Sequence, residues 1–125
     1  MIALPVVVDD HGALEFYESV ERAESYLEAV DVANEEYRAY DAAGHMLLLK
    51  VVGARVRITG SGDTPRPDAV RDLLVEFLGR IGSERVGIED PADLDLQSLA
   101  EALLAWTKPP QRSRRWFSPG RRSRS

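Results

Sequence analysis

Apolar and polar residues alternate in short runs through the first half of the chain and recur at helical spacing through the second. Ala3 to Val8 (ALPVVV) is a β-branched run ending at the polar, glycine-containing turn Asp9-Asp10-His11-Gly12. Strand character resumes from Ala13 to Tyr17, so the first unit reads as a hairpin. Ser19 is a favourable N-cap for a helix over Val20–Val30, whose buried face would hold Val20, Ala23, Leu27 and Val30. Asp31 to Asn34 is read as the connection to a three-stranded meander, EEYRAYDAAGHMLLLKVVGARVRIT, around which the chain is organised.

In the first strand of that meander, Glu35–Asp41, Tyr37 and Ala39 point one way and Arg38 and Tyr40 the other. Ala42-Ala43-Gly44-His45 makes a hairpin loop. Met46–Val52 is the most apolar strand and is expected at the centre of the sheet with both faces largely covered. Gly53-Ala54 suits a two-residue type II′ turn, which takes glycine first. Arg55–Thr59 then alternates, with Val56 and Ile58 inward.

After a turn-rich link, Pro67 starts the clearest helix. Val70, Leu73, Leu74, Phe77, Leu78 and Ile81 follow one apolar stripe, and Gly82 closes it. Val86–Ile88 is read as a short strand. Asp93 or Asp95 caps a last helix over Leu96–Thr107, striped with Leu96, Leu99, Leu103 and Trp106, and Pro109-Pro110 stops it. The two leucine-rich helices are expected to close the core against Met46–Val52.

The expected fold is therefore α+β: a mainly antiparallel sheet of about five strands with three helices packed largely on one face. It occupies residues 1–108, and 109–125 form a basic, flexible tail without periodicity.

Composition refines the picture. At 44% hydrophobic and 30% charged residues the chain matches a water-soluble domain, and no apolar run approaches the roughly 18 residues of a membrane span. There is no cysteine, hence no disulfide framework or thiolate chemistry. The start, MIALPVVVDD, has no basic segment and meets aspartates at once, which argues against a secretory signal and for the cytoplasm. The net charge of −5 conceals a division. Up to Thr107 there are 9 basic and 21 acidic residues, a formal charge of −12, and the remainder carries +7.

Little in the sequence points to catalysis. Asp9-Asp10-His11 is the one local group resembling an acid/base or metal cluster, but neighbours on a strand point to opposite faces. Gly60-Ser61-Gly62 is too short for a phosphate cradle and lacks the lysine. No serine lies in a nucleophile-elbow pattern. The expectation is a non-enzymatic protein with no cofactor or metal. Glu21, Glu24 and Glu28 cluster within an arc of about 60° on their helix, offering an acidic stripe for a basic partner.

The first 50 residues carry a resemblance. A short strand, D-x-G, a second strand ending in F-x-x-S, a helix of S-V-E-x-A-E-x-Y-L-E type and an aromatic Y-x-A-Y-D-x-x-G hairpin are all present. This succession resembles the small acidic immunity proteins of bacterial polymorphic toxin systems. The resemblance implies a cytoplasmic inhibitor that occludes a cognate toxin by direct binding.

On that reading the partner-binding candidates are Asp9, Asp10, Glu21, Glu24, Glu28, Glu35, Glu36, Tyr37 and Tyr40. The alternative is a nucleic-acid-associated accessory protein that uses the tail: Arg112, Arg114, Arg115, Trp116, Arg121 and Arg122 would meet phosphates or another anionic surface. The basic tail departs from the immunity-protein pattern.

Overall fold

In the computed structural model, which describes residues 2–107, five antiparallel strands form one sheet in the order β2-β1-β3-β4-β5. They are β1 (Val6–Asp10), β2 (Ala13–Tyr17), β3 (Arg38–Tyr40), β4 (Met46–Val52) and β5 (Arg55–Gly60). The helices are α1 (Val20–Tyr26), α2 (Ala29–Ala33), α3 (Pro67–Ile81), the single turn α4 (Ser83–Val86) and α5 (Leu96–Thr107), with a 3₁₀ turn at Pro91–Asp93. The fold is α+β.

Alternation along β1 divides the core in two. Val7 points into a cluster with Leu14 and Phe16 of β2 and with Val70, Leu74, Leu78, Leu99 and Leu103 of α3 and α5. Val6 and Val8 point into the other, with Ala23, Leu27 and Val32 from α1 and α2 and Leu47, Val56 and Ile58 from the sheet. Helices thus cover both faces, not largely one as expected. α3 and α5 lie over β2, while α1 and α2 lie over β4 and β5. The leucine-rich helices do not close on Met46–Val52. As a result the α3-side face of β4 is open, with Leu48 41% and Val52 59% exposed.

The first helix is also divided. Leu27 (ψ 137°) and Glu28 (ψ 134°) are extended and separate α1 from α2, which takes up most of the segment read as a connection. The break aims both Leu27 and Val32 into the core, whereas Val30, on the stripe of a continuous helix, is 63% exposed. The strand read at Val86–Ile88 is absent. Gly87 takes a left-handed φ of 85° after α4, and Ile88 is buried with α3 and α5.

Other local signals match their elements. Ser19 caps α1 by accepting from Arg22 N–H, Asp95 accepts from Ser98 N–H at the start of α5, and Pro67 opens α3. Val52 pairs with Arg55 across a Gly53-Ala54 turn in which only the glycine has positive φ. Gly44 is required where it stands. At φ 95°, a Cβ there would lie 2.5 Å from the Pro67 backbone, because Gly44 O accepts Arg66 N–H and seats the β3–β4 loop against α3.

Asp41 holds that loop from inside. Its side chain is 1% exposed and accepts the backbone N–H groups of Ala3, Ala43 and His45, with His45 Nδ1 at 3.0 Å. Burial opposes its ionised form, but the amides of His45, Ala3 and Ala43 and the His45 ring prevail, lowering the carboxyl below its ordinary value.

Candidate binding surface

The pairing of β1 with both β2 and β3 brings distant polar segments to one end of the sheet. Asp10 pairs with Ala13 across the two-residue turn His11-Gly12, and both turn residues have positive φ, 53° and 97°. That is the φ pattern of a tight hairpin, with histidine where asparagine or aspartate is commoner. Gly12 N–H donates to Asp9 Oδ1 at 2.7 Å, and the Arg80 guanidinium of α3 donates to Gly12 O.

Because Asp9 pairs with Arg38, this turn stands beside the loop that enters β3. Among the described residues, Glu35 in that loop is the other non-glycine with positive φ, 58°. The two strained segments are joined by a His11 Nε2–Glu36 Oε1 contact of 2.7 Å. Glu36 raises the His11 pKa first through this hydrogen bond and then through its charge.

The α1/α2 side of the sheet carries three tyrosines among carboxylates, from Tyr37 near this turn to Tyr17, which pairs with Val6 at the far end of the hairpin. Tyr37 Oη donates to Asp31 Oδ2 at 3.2 Å, and Tyr17 Oη donates to Glu15 Oε1 at 2.8 Å. Tyr17 and Tyr26 stack with centroids 5.8 Å apart, and the Arg22 guanidinium lies 5.5 Å over the Tyr26 ring. The Tyr37 hydroxyl is pushed up to about 12, by burial first, then by its bond to Asp31, then by the charges of Asp31, Asp10 and Glu15. Tyr17 is raised as well, by burial and by Glu15. Asp10, Glu15 and Asp31 therefore act together on Tyr37, while Glu36 acts with Asp10 on His11.

The structure sorts the expected contacts. Asp10, Glu35, Glu36 and Tyr37 come together here. Tyr40 does not: it points to the opposite face and packs against the α3/α5 core. Asp9 serves the β1–β2 turn. Glu21 and Glu24 are not part of this surface; they line a groove with Arg55 and Arg57 of β5. Glu24 is committed inside the fold, its Oε2 accepting Ile58 N–H at 2.7 Å and its Oε1 3.9 Å from Arg57. Glu28 is exposed as the cap residue between α1 and α2 and makes no side-chain cap bond. The stripe Glu21–Glu24–Glu28 is thereby split between two settings.

His11, Glu15, Tyr17, Tyr26 and Asp31 were not among the expected contacts. Only the odd-numbered alternation of β2, which places Glu15 and Tyr17 on one face, hinted at them. Arg112, Arg114, Arg115, Trp116, Arg121 and Arg122 lie outside the described residues.

Among the described residues no group of three or more histidine, aspartate or glutamate side chains is placed to hold a metal ion, and no helix is long and apolar enough to cross a membrane. The chain matches no protein-family model, no curated protein and no solved structure. Chemically, the surface offers negative potential for attraction and rigid amphipathic rings for anchoring, a combination suited to holding a basic protein surface.

Proposed function

We infer that this protein is a cytoplasmic, non-enzymatic inhibitor of the immunity type, which binds a cognate bacterial toxin and occludes it. The observation that carries this reading is the meeting of Tyr17, Tyr26 and Tyr37 with Asp10, Glu15, Asp31 and Glu36 on one surface, framed by the strained residues His11 and Glu35. Strained non-glycine backbone is retained where the surroundings impose it, and a pre-set binding edge is one such use. The succession of motifs in the first 50 residues supports the same reading.

In this mechanism the carboxylates draw in a basic toxin face and speed encounter, and the tyrosines slow departure. The toxin captured from the native host with the tagged protein provides the assay. Reversing Glu35 and Glu36 to lysine should slow association by about tenfold at low salt, with the difference shrinking as salt rises. Tyr37→Ala should instead speed dissociation by about tenfold or more. Unchanged rates in both variants would remove this surface from the interface. The alternative, nucleic-acid binding through the tail, rests on residues after 107; it requires binding to vanish when 111–125 are deleted and to fall steeply with salt.

A further inference from the structure

β4 is longer than the strand beside it, and this leaves a second, oppositely charged place to bind. β3 pairs with β4 only at Ala39–Leu47 and Tyr40–Met46, while β4 runs on to Val52 against β5 alone. The direction of the unused backbone groups follows from Glu24. Since Ile58 N–H points out to that carboxylate, the Leu49–Ile58 pair is one whose main-chain groups turn away from each other. Leu49, and Val51 two residues on, therefore direct N–H and C=O toward the side where β3 has ended. Among the described residues neither has a strand partner there. A slot of about 290 Å³ lies along the start of this edge, between Glu35, Tyr37, Arg38 and Ala39 on one side and Leu47, Leu48 and Leu49 on the other, so the acidic residues of an incoming strand belong beyond it, over Lys50.

Proteins blunt an exposed edge with charge or cover it. The outer edge of β5 is blunted in this way by Glu24. The β4 edge is not, and the sheet face beside it is both apolar and cationic. On that face β3, β4 and β5 present Arg38, Lys50, Arg55 and Arg57 around Met46, Leu48 and Val52; at the far edge Arg57 lies 3.9 Å from Glu24, and Arg38 and Lys50 are the cations of β3 and β4, beside the free edge. In a body of charge −12 this is a local reversal of sign.

We propose that the free edge of β4, from Leu48 to Val52, accepts an extended acidic segment of a partner protein as a sixth strand. Main-chain pairing to Leu49 and Val51 would supply affinity, and acidic side chains over Lys50 would supply selectivity. Other occupants fit less well. The chain's own segment after Thr107 carries +7 and is repelled. A second copy pairing β4 to β4 would set Lys50 and its neighbouring arginines against their equals. Single-stranded nucleic acid needs aromatic faces for stacking, and the exposed apolar groups here are aliphatic. The start of the slot borders Glu35 and Tyr37 of the tyrosine–carboxylate surface, but the main-chain groups of Leu49 and Val51 and the charge of Lys50 do not depend on the proposed function.

The test uses full-length protein and two capped octapeptides, one alternating Glu and Val, the other alternating Lys and Val, followed by amide NMR and hydrogen exchange. The expected result is binding of the acidic peptide alone, weakened by salt, with slower exchange at the Leu49 and Val51 amides. Val51→Pro removes an N–H that β5 does not use and should weaken binding by about tenfold, the loss of one main-chain hydrogen bond with its alignment. The exposed double substitution Lys50→Glu/Arg55→Glu should weaken it further while the remaining spectrum stays folded. Equal binding of both peptides, or binding without protection of Leu49 and Val51, would overturn the proposal. So would tighter binding of oligothymidylate or phosphatidylserine vesicles at the same residues.

Discussion

Asp41 is the residue on which the β3–β4 loop and the N-terminal segment both depend. Asp41→Ala would leave the buried amides of Ala3, Ala43 and His45 without their acceptor, a loss of roughly 2–4 kcal/mol measurable by urea denaturation. Its folded pKa lies below the unfolded value, so the stability it contributes is present above the ordinary aspartate range near 4 and lost as pH falls through the lowered value. His11 has the opposite sign. Its folded pKa is raised, so whatever it contributes is complete below about 6.5 and is lost as pH rises through the raised value. An NMR titration should show the His11 pKa falling back toward about 6.5 in Glu36→Gln. An unchanged value would mean that the 2.7 Å contact does not persist in solution. Gly44→Ala should cost roughly 2–3 kcal/mol, because the new methyl meets the Pro67 backbone and the φ of 95° disfavours it.

At the scale of elements, α1 supplies a hydrogen-bond acceptor to the sheet as well as a packing face. Glu24 meets the unpaired Ile58 amide of the edge strand and holds Arg57 near it. Glu24→Ala is expected to lower stability by about 1–2 kcal/mol in chemical denaturation. It should also raise concentration-dependent self-association, visible by light scattering, because an edge amide becomes free to pair with another chain. Glu21→Ala, on the same helix but without that bond, should change neither. The divided α1–α2 segment shows why an apolar stripe alone misplaces a boundary. Val20, Ala23, Leu27 and Val30 have helical spacing. A turn at Leu27 nevertheless buries Leu27 with Val32, a choice that depends on Leu47 and Ile58 being underneath.

The whole molecule separates its charges by face. Carboxylates and tyrosines gather where β1, β2 and the entry to β3 meet, and arginines gather on the open side of β3–β5. Salt should therefore weaken binding in the same direction at both places, and Lys50→Glu, on the opposite face of the sheet from Tyr37, should leave binding at the tyrosine–carboxylate surface unchanged. The order β2-β1-β3-β4-β5 creates both surfaces. It sets the His11 turn beside Glu36, 25 residues away in sequence, and it leaves the end of β4 beyond the reach of short β3.

By itself the sequence determined the α+β class, the strands of the meander, the stripe and ends of α3, the cap of α1 and the outward face of β5. Each of these is a local matter of side-chain period, capping or turn chemistry, and such signals act within a few residues. Tertiary structure alone decided that helices cover both faces, that α1 breaks at Leu27, that Tyr37 joins the carboxylates while Tyr40 enters the core, and that Glu24 is spent inside the fold. A local pattern marks which side of an element is apolar or charged. What that side meets is fixed by strand order and register, which arise from pairings between residues far apart in the chain.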